Sequence, residues 1–162
     1  MQSVRLRGIL SLLLVISVIG VDIYTKQIVS SLDSRMDINS IVTIYVIENY
    51  GIAFSMLDEL SMRGLDILNV IIIFILLFLI VEMIRNISSS INYILGLSFV
   101  LGGGVSNFID RLDNGSVTDF IMIHYNELYF PAIFNLADVA ISIGAILILL
   151  SLIIGDHDRN KV

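Results

Sequence analysis

The chain has 162 residues, 57% of them hydrophobic and only 15% charged, with a formal net charge of −6 and a mean hydropathy of +0.95. Such a composition is too apolar for a soluble domain of this size and belongs in a bilayer. The absence of cysteine excludes disulfides, thiolate metal sites and cysteine nucleophiles, and the two histidines, His124 and His157, are too few and too far apart for a structural zinc site.

A bilayer core of about 30 Å needs roughly 20 apolar residues of helix. Four segments approach that length, near 8–28, 66–84, 92–110 and 133–154, and one proline with no low-complexity tract or fixed-period repeat makes 1–162 a single membrane domain. Arg5 and Arg7 before the first run resemble the start of a secretory signal, but Asp22 and Lys26 follow instead of a small-residue cleavage site, so the run reads as a retained helix. Four spans put both termini on one side. Arg5, Arg7 and Arg85, in short segments, favour the cytoplasm for that side. Twelve of the fifteen acids then fall on the outer side, which locates the chemistry there.

At the end of the first span Asp22 and Lys26 are four residues apart, an ordinary interfacial ion pair in the plainest reading. The first outer segment, 29–65, carries "SIVTIYVIENYGIAFS", which reads as strand, turn, strand about Asn49-Tyr50-Gly51. Its later part, "MLDELSMRGLDIL", suits the membrane interface. The third span ends in "LGGGVSNFIDR", with Asn107, Asp110 and Arg111 on one face and Gly103 a turn deeper. Helix packing commonly explains such glycines, and Asp110 and Arg111 could pair with each other.

The second outer segment, 111–132, contains Asp119, readable as a loop acid or a helix N-cap, and ends in "YNELYFP", whose aromatics suit the headgroup level. In the fourth span Asn135 and Asp138 share a face continued by Ser142. A start near Ile133 would bury Asp138 about 7 to 8 Å below the helix end, with nothing in its own helix to neutralise it. Two carboxylates brought together in a partly dry site share a proton, so one can take a proton from water while the other gives one to a carbonyl oxygen. That chemistry needs no metal, cysteine or histidine.

Five stretches, "DIYTK" (22–26), "NYGIAFS" (49–55), "NFIDR" (107–111), "GSVTDF" (115–120) and "FNLAD" (134–138), resemble in order and approximate spacing the boxes of the signal peptidase II, or lipoprotein signal peptidase, family. The resemblance implies a mainly α membrane protein of four transmembrane helices with a small extracytoplasmic β-cradle in the first outer loop. It implies an aspartic endopeptidase that needs no cofactor or metal and removes the signal peptide of bacterial prolipoproteins just before a diacylglyceryl-modified cysteine. Asp119 and Asp138 would then form the catalytic pair; Asn49, Gly51, Asn107, Arg111 and Asn135 would position substrate and water; Asp22, Lys26 and Asp110 would support the site. The glycines of the third span would make room for substrate chains. The expected partners are lipid-modified precursors and membrane lipids, with no nucleic acid, for a monomer in the bacterial inner membrane. Ser106 stands where many members have Gly, Val139 where Ser is frequent, and "FPAIFN" is one residue longer than usual. These departures bear on pocket shape and leave the proposed catalytic groups intact.

Two other classes remain open on residues alone. A proton-conducting bundle using Asp22, Asp110 and Asp138 would spread acids over several depths, whereas these gather at one end. A non-catalytic assembly factor would tolerate the loss of either Asp119 or Asp138.

Overall fold

The computed structural model describes residues 2–32, 35–50, 62–125 and 128–159, with side chains over 4–32, 35–50, 67–125 and 128–154. Among the described residues, four helices are long and apolar enough to cross a membrane: α1 (Gln2–Ser30), α2 (Met62–Arg85), α3 (Ile91–Asn114) and α4 (Leu136–Arg159). Four strands, β1 (Met36–Asp37), β2 (Val42–Asn49), β3 (Val117–Tyr125) and β4 (Leu128–Phe134), form one antiparallel sheet in the order β1-β2-β3-β4 at one end of the bundle. Large side chains such as Phe74, Phe78 and Ile153 are more than 60% exposed, as expected for a surface solvated by lipid.

α3 is the central helix: half of its span is buried, against 11% for α1 and α2 and 17% for α4. Lipid tails are as apolar as leucine, so helices associate here through close packing of small residues. Three consecutive glycines on α3 face three different neighbours. A Cβ on Gly102 would lie 2.9 Å from Val18 on α1, one on Gly104 would lie 3.0 Å from Leu76 on α2, and one on Gly103 would collide with the Ala137 carbonyl on α4. The glycines of this span therefore serve helix packing, and the room expected there for substrate chains is filled by α1, α2 and α4. Deeper along the α3–α4 contact, Gly96 and Gly144 oppose each other, each placing a carbonyl 2.6 to 2.8 Å from where the other's Cβ would sit.

The ends of α3 and α4 differ from the sequence expectation. α3 runs four residues past 110 and stops where Gly115, at φ 75°, donates its N–H to the Arg111 carbonyl at 3.0 Å. α4 starts at Leu136, because Ile133 and Phe134 pair with Met122 and Ile121 of β3. Pro131, which has no N–H to donate, is tolerated because β4 is an edge strand among the described residues.

The sheet draws on both outer segments, so the second is a hairpin and His124 and Asp119 lie on a strand. β2 supplies the strand expected before Asn49. The second strand expected from Gly51, with Gly51 itself and the interfacial run up to Ser61, lies outside the described residues. One side chain from each strand fastens the sheet: Thr43 donates to Asp37 at 2.5 Å and sits 3.0 Å from His124 Nε2, and the His124 ring stacks on Tyr129 with centroids 5.3 Å apart. The aromatics of "YNELYFP" are exposed, Tyr125 by 68% and Phe130 by 53%.

Because the carbonyl opposite Gly144 belongs to a helix backbone that cannot turn aside, Gly144→Val should cost about 3 kcal/mol or more of stability. Gly20, which has nothing within 4 Å of a Cβ, should accept Ala without loss. Thermal melts of the purified variants in detergent check both.

Candidate active site

Lys26 is the anchor of the polar cluster between the bundle and the sheet. Its ammonium, only 5% exposed as a residue, contacts Asp22 at 2.7 Å, Asp110 at 3.0 Å and the Asn107 side-chain oxygen at 2.9 Å, one partner for each of its three N–H groups. Asp22, fully buried, also accepts from the Ser106 hydroxyl at 2.7 Å and from the Ala137 N–H in the first turn of α4 at 2.8 Å. The exposed interfacial pair that spacing suggests for Asp22 and Lys26 is thus a buried pair joining α1, α3 and α4. Asp110 pairs with Lys26 rather than with Arg111 and accepts the Thr118 N–H of β3 at 2.9 Å, which fixes the start of the strand that carries Asp119.

From Asn107 the network passes to the two remaining carboxylates through amides. Asn107 donates to Asp138 at 2.9 Å and accepts from Asn135 at 3.0 Å. Asn135 donates to Asp119 at 2.7 Å, and Asn49, at the end of β2, donates to the other Asp119 oxygen at 2.9 Å. Asn135 and Asp138 close a reciprocal cap at the start of α4. The Asp138 N–H donates to the Asn135 side chain at 2.9 Å, and the Asn135 N–H donates to the Asp138 carboxylate at 3.2 Å. Asp138 therefore sits in the first turn of its helix, stabilised by that cap and by the helix dipole, which corrects the expectation of an acid a turn inside with no neutralising neighbour.

Asn135 is thus the residue that touches both Asp119 and Asp138. Asp119 is 2% exposed and, among the described residues, is met by two amides and no cation. Burial pushes its pKa up from 3.8 to about 6 against the pull of Asn49 and Asn135, and the negative charge of Asp138 acts in the same direction as burial. Its strand partner is Ile47, just past a bulge between Ile44 and Ile47 in β2, an irregularity of the kind that re-aims side chains near active sites. Arg111 donates to the Asn107 carbonyl at 3.2 Å, on the edge of the same cluster.

Beside Asp138 a cavity of about 660 Å³ opens between β4 and α4. Ile47, Phe130, Ile133, Phe134, Val139 and Ile143 are among its walls, and Asp138 is the one charged residue of the lining among the described residues. The structure thus joins Asp22, Lys26, Asn49, Asn107, Asp110, Arg111, Asn135, Asp119 and Asp138, drawn from α1, β2, α3, β3 and α4, in one site. The sequence reading took Ser106 only as a departure from a pattern. Its signal was a hydroxyl on α3 at the level of Asp22, and its contact with that acid explains its burial.

Removing Lys26 would leave Asp22 and Asp110 facing each other without a cation. Lys26→Met should therefore destabilise the protein by about 3 to 5 kcal/mol, and adding Asp22→Asn should restore part of that, read by melts in detergent. For Asp119 the raised pKa favours the protonated folded state. The stability this contributes is complete below 3.8 and is lost as pH rises through about 6. The melting temperature of the wild type should fall relative to Asp119→Asn across that window and run parallel to it on either side.

Comparison with known proteins agrees with this architecture. The sequence pattern of the signal peptidase (SPase) II family matches residues 14–154. The lipoprotein signal peptidase of Cellvibrio japonicus is 42% identical over 65% of this chain, that of Rickettsia akari 38% over 78%, and that of Wigglesworthia glossinidia brevipalpis 34% over 85%. The matched stretch spans 62% and 60% of the first two relatives and 90% of the third. A bacterial membrane enzyme solved by the in meso method at 2.3 Å superposes with a TM-score of 0.73 over 92% of this chain and 90% of its own, at 23% identity, and so shares the fold. A second, solved at 1.9 Å, gives 0.72 at 26% identity over 88% of this chain and 91% of its own. With four membrane-spanning helices, a small antiparallel sheet and a family pattern that runs through all of them, the chain belongs to the signal peptidase II family.

Proposed function

We propose that this protein is an aspartic endopeptidase of the bacterial inner membrane that removes signal peptides from diacylglyceryl-modified prolipoproteins, cutting just before the lipidated cysteine. The observation that carries the reading is Asn135, whose side chain holds Asp119 and whose backbone holds Asp138, bringing two carboxylates to one site beside an apolar cavity.

Asp119, with a pKa near 6 and side-chain hydrogen bonds from the amides of Asn49 and Asn135, is suited to hold the proton the pair shares. Asp138, ionised and held by Asn107 and Asn135, takes a proton from water as that water attacks the scissile carbonyl carbon. Asp119 gives its proton to the carbonyl oxygen, yielding a neutral tetrahedral gem-diol. Its collapse breaks the C–N bond as the amine leaves with a proton from Asp138, and a hydroxyl proton returns to Asp119. The side-chain amides of Asn49 and Asn107 fix the carboxylates without adding a cation that would hold both ionised. The cavity walled by Phe130, Ile133 and Ile143 offers apolar surface for the side chains or acyl chains next to the cut.

In this reading the sheet end faces outward and both termini are cytoplasmic, in keeping with Arg5, Arg7 and Arg85 at the opposite end. The protein acts as a monomer of one membrane domain, on lipid-modified precursors within the lipid phase.

Purified protein should cleave a prolipoprotein bearing its diacylglyceryl group and leave the unmodified precursor intact in a gel-shift assay. Asp119→Asn and Asp138→Asn should each lose about 10²- to 10⁴-fold in rate while remaining folded. Unchanged cleavage by Asp138→Asn would break the assignment of the pair. A chelator should leave the rate unaltered, and inhibition reversed by zinc would contradict the mechanism.

A further inference from the structure

Apolar space flanks α4 on two sides, just below the carboxylates. The cavity between β4 and α4 begins at Asp138 and follows α4 by way of Val139, Ser142 and Ile143 to Ile146, eight residues on and so about 12 Å deeper along the helix. A second groove, of about 290 Å³, is shared by Val18 and Val21 of α1, Phe99 of α3 and Leu136 and Ala140 of α4. Val139 and Ile143 line both spaces. Four residues apart on one helix, they form a single ridge between the two. The grooves begin at the same depth, because the Ala137 N–H bonds Asp22 at 2.8 Å and so sets the first turn of α4 beside the turn of α1 that carries Val18 and Val21.

The substrate proposed above carries two acyl chains on one glycerol, attached to the cysteine at the cut. With the scissile carbonyl at the carboxylates, that glycerol lies beside Asp138, at the upper end of the ridge, and its chains run down from there into the apolar layer. The cavity takes one chain next to the peptide, and the ridge leaves the other chain the groove on its far side. Lipid tails are as apolar as these linings, so the groove adds little through burial alone. Its contribution is orientation: chains that straddle Val139 and Ile143 keep the glycerol from turning about its bond to the cysteine, which holds the peptide bond in line with the carboxylates.

We propose that Val139 and Ile143 are a specificity-determining ridge that parts the two acyl chains of the substrate, one into the cavity between β4 and α4 and the other into the groove between α1 and α4. This assignment rests on the peptidase reading and adds to it a reason for two chains rather than one.

Val21 is 54% exposed, so a phenylalanine there fills the groove without entering the packed interior. The test is cleavage, in detergent, of precursors whose glycerol carries two acyl chains or one. The enzymes are wild type, Val21→Phe, Ser17→Phe one turn deeper in the same groove, and Leu13→Phe, which is 55% exposed and outside it. The wild type should favour the two-chain precursor about tenfold in kcat/KM. Val21→Phe and Ser17→Phe should bring the two-chain precursor down to the one-chain level, with the one-chain rate and the melting temperature unaltered, while Leu13→Phe keeps the wild-type ratio. A ratio that survives both groove variants would assign the groove to bulk membrane lipid and overturn the proposal. An equal loss on both precursors, or a wild type indifferent to the second chain, would overturn it too, and in each of these cases the peptidase reading stands. A well-folded wild type that cleaves no precursor would overturn both.

Discussion

One ammonium group organises this protein. Lys26 enters the junction of α1, α3 and α4 almost wholly buried, and each of its N–H groups is engaged, by Asp22, Asp110 and Asn107. A buried cation is tolerated only where its surroundings replace its hydration, and here the replacements are the residues that fix everything else. Asp22 grips the first turn of α4, Asp110 grips the first residues of β3, and Asn107 leads to Asp138 and Asn135. The helix that carries Asp138 and the strand that carries Asp119 are thus both referred to the same charge.

Cations and amides have separate tasks in this arrangement. The ion pairs lie at the base of the cluster, where they join elements. Asp119 and Asp138 receive their direct side-chain hydrogen bonds from neutral amides, those of Asn49, Asn107 and Asn135. An amide orients a carboxylate without supplying the full charge that would hold it ionised. Burial then controls Asp119, whose pKa rises to about 6. Away from the sheet end, glycine contacts bring helix backbones together, and at the far end Tyr93 donates to Glu82 at 2.7 Å and Arg7 to the Ser89 carbonyl at 2.6 Å.

The four helices were legible because length and hydropathy are local properties, and a bilayer demands both from each span independently. Family membership was legible too, since "DIYTK", "NFIDR" and "FNLAD" are short strings that no fold is needed to recognise. Boundaries and pairings were less so. Ile133 and Phe134 suit an apolar helix or a strand equally well, and pairing with Met122 and Ile121 decided for the strand. The same shift placed Asn135 at the cap of α4 and Asp138 in its first turn, turning an apparently stranded acid into half of a capping box.

The sequence by itself determined that this is a membrane protein, how many times it crosses, which polar residues belong together and the family to which they point. Spacing along the chain says which residues share a helix face, and composition says which solvent that face meets. Only the tertiary structure decided that Lys26 bonds Asp110 as well as Asp22, that Ser106 braces Asp22, and that Asn135 touches both Asp119 and Asp138. Each of these joins residues from different elements, and the partner of a buried polar group is set by which helices and strands meet, information that no local pattern carries.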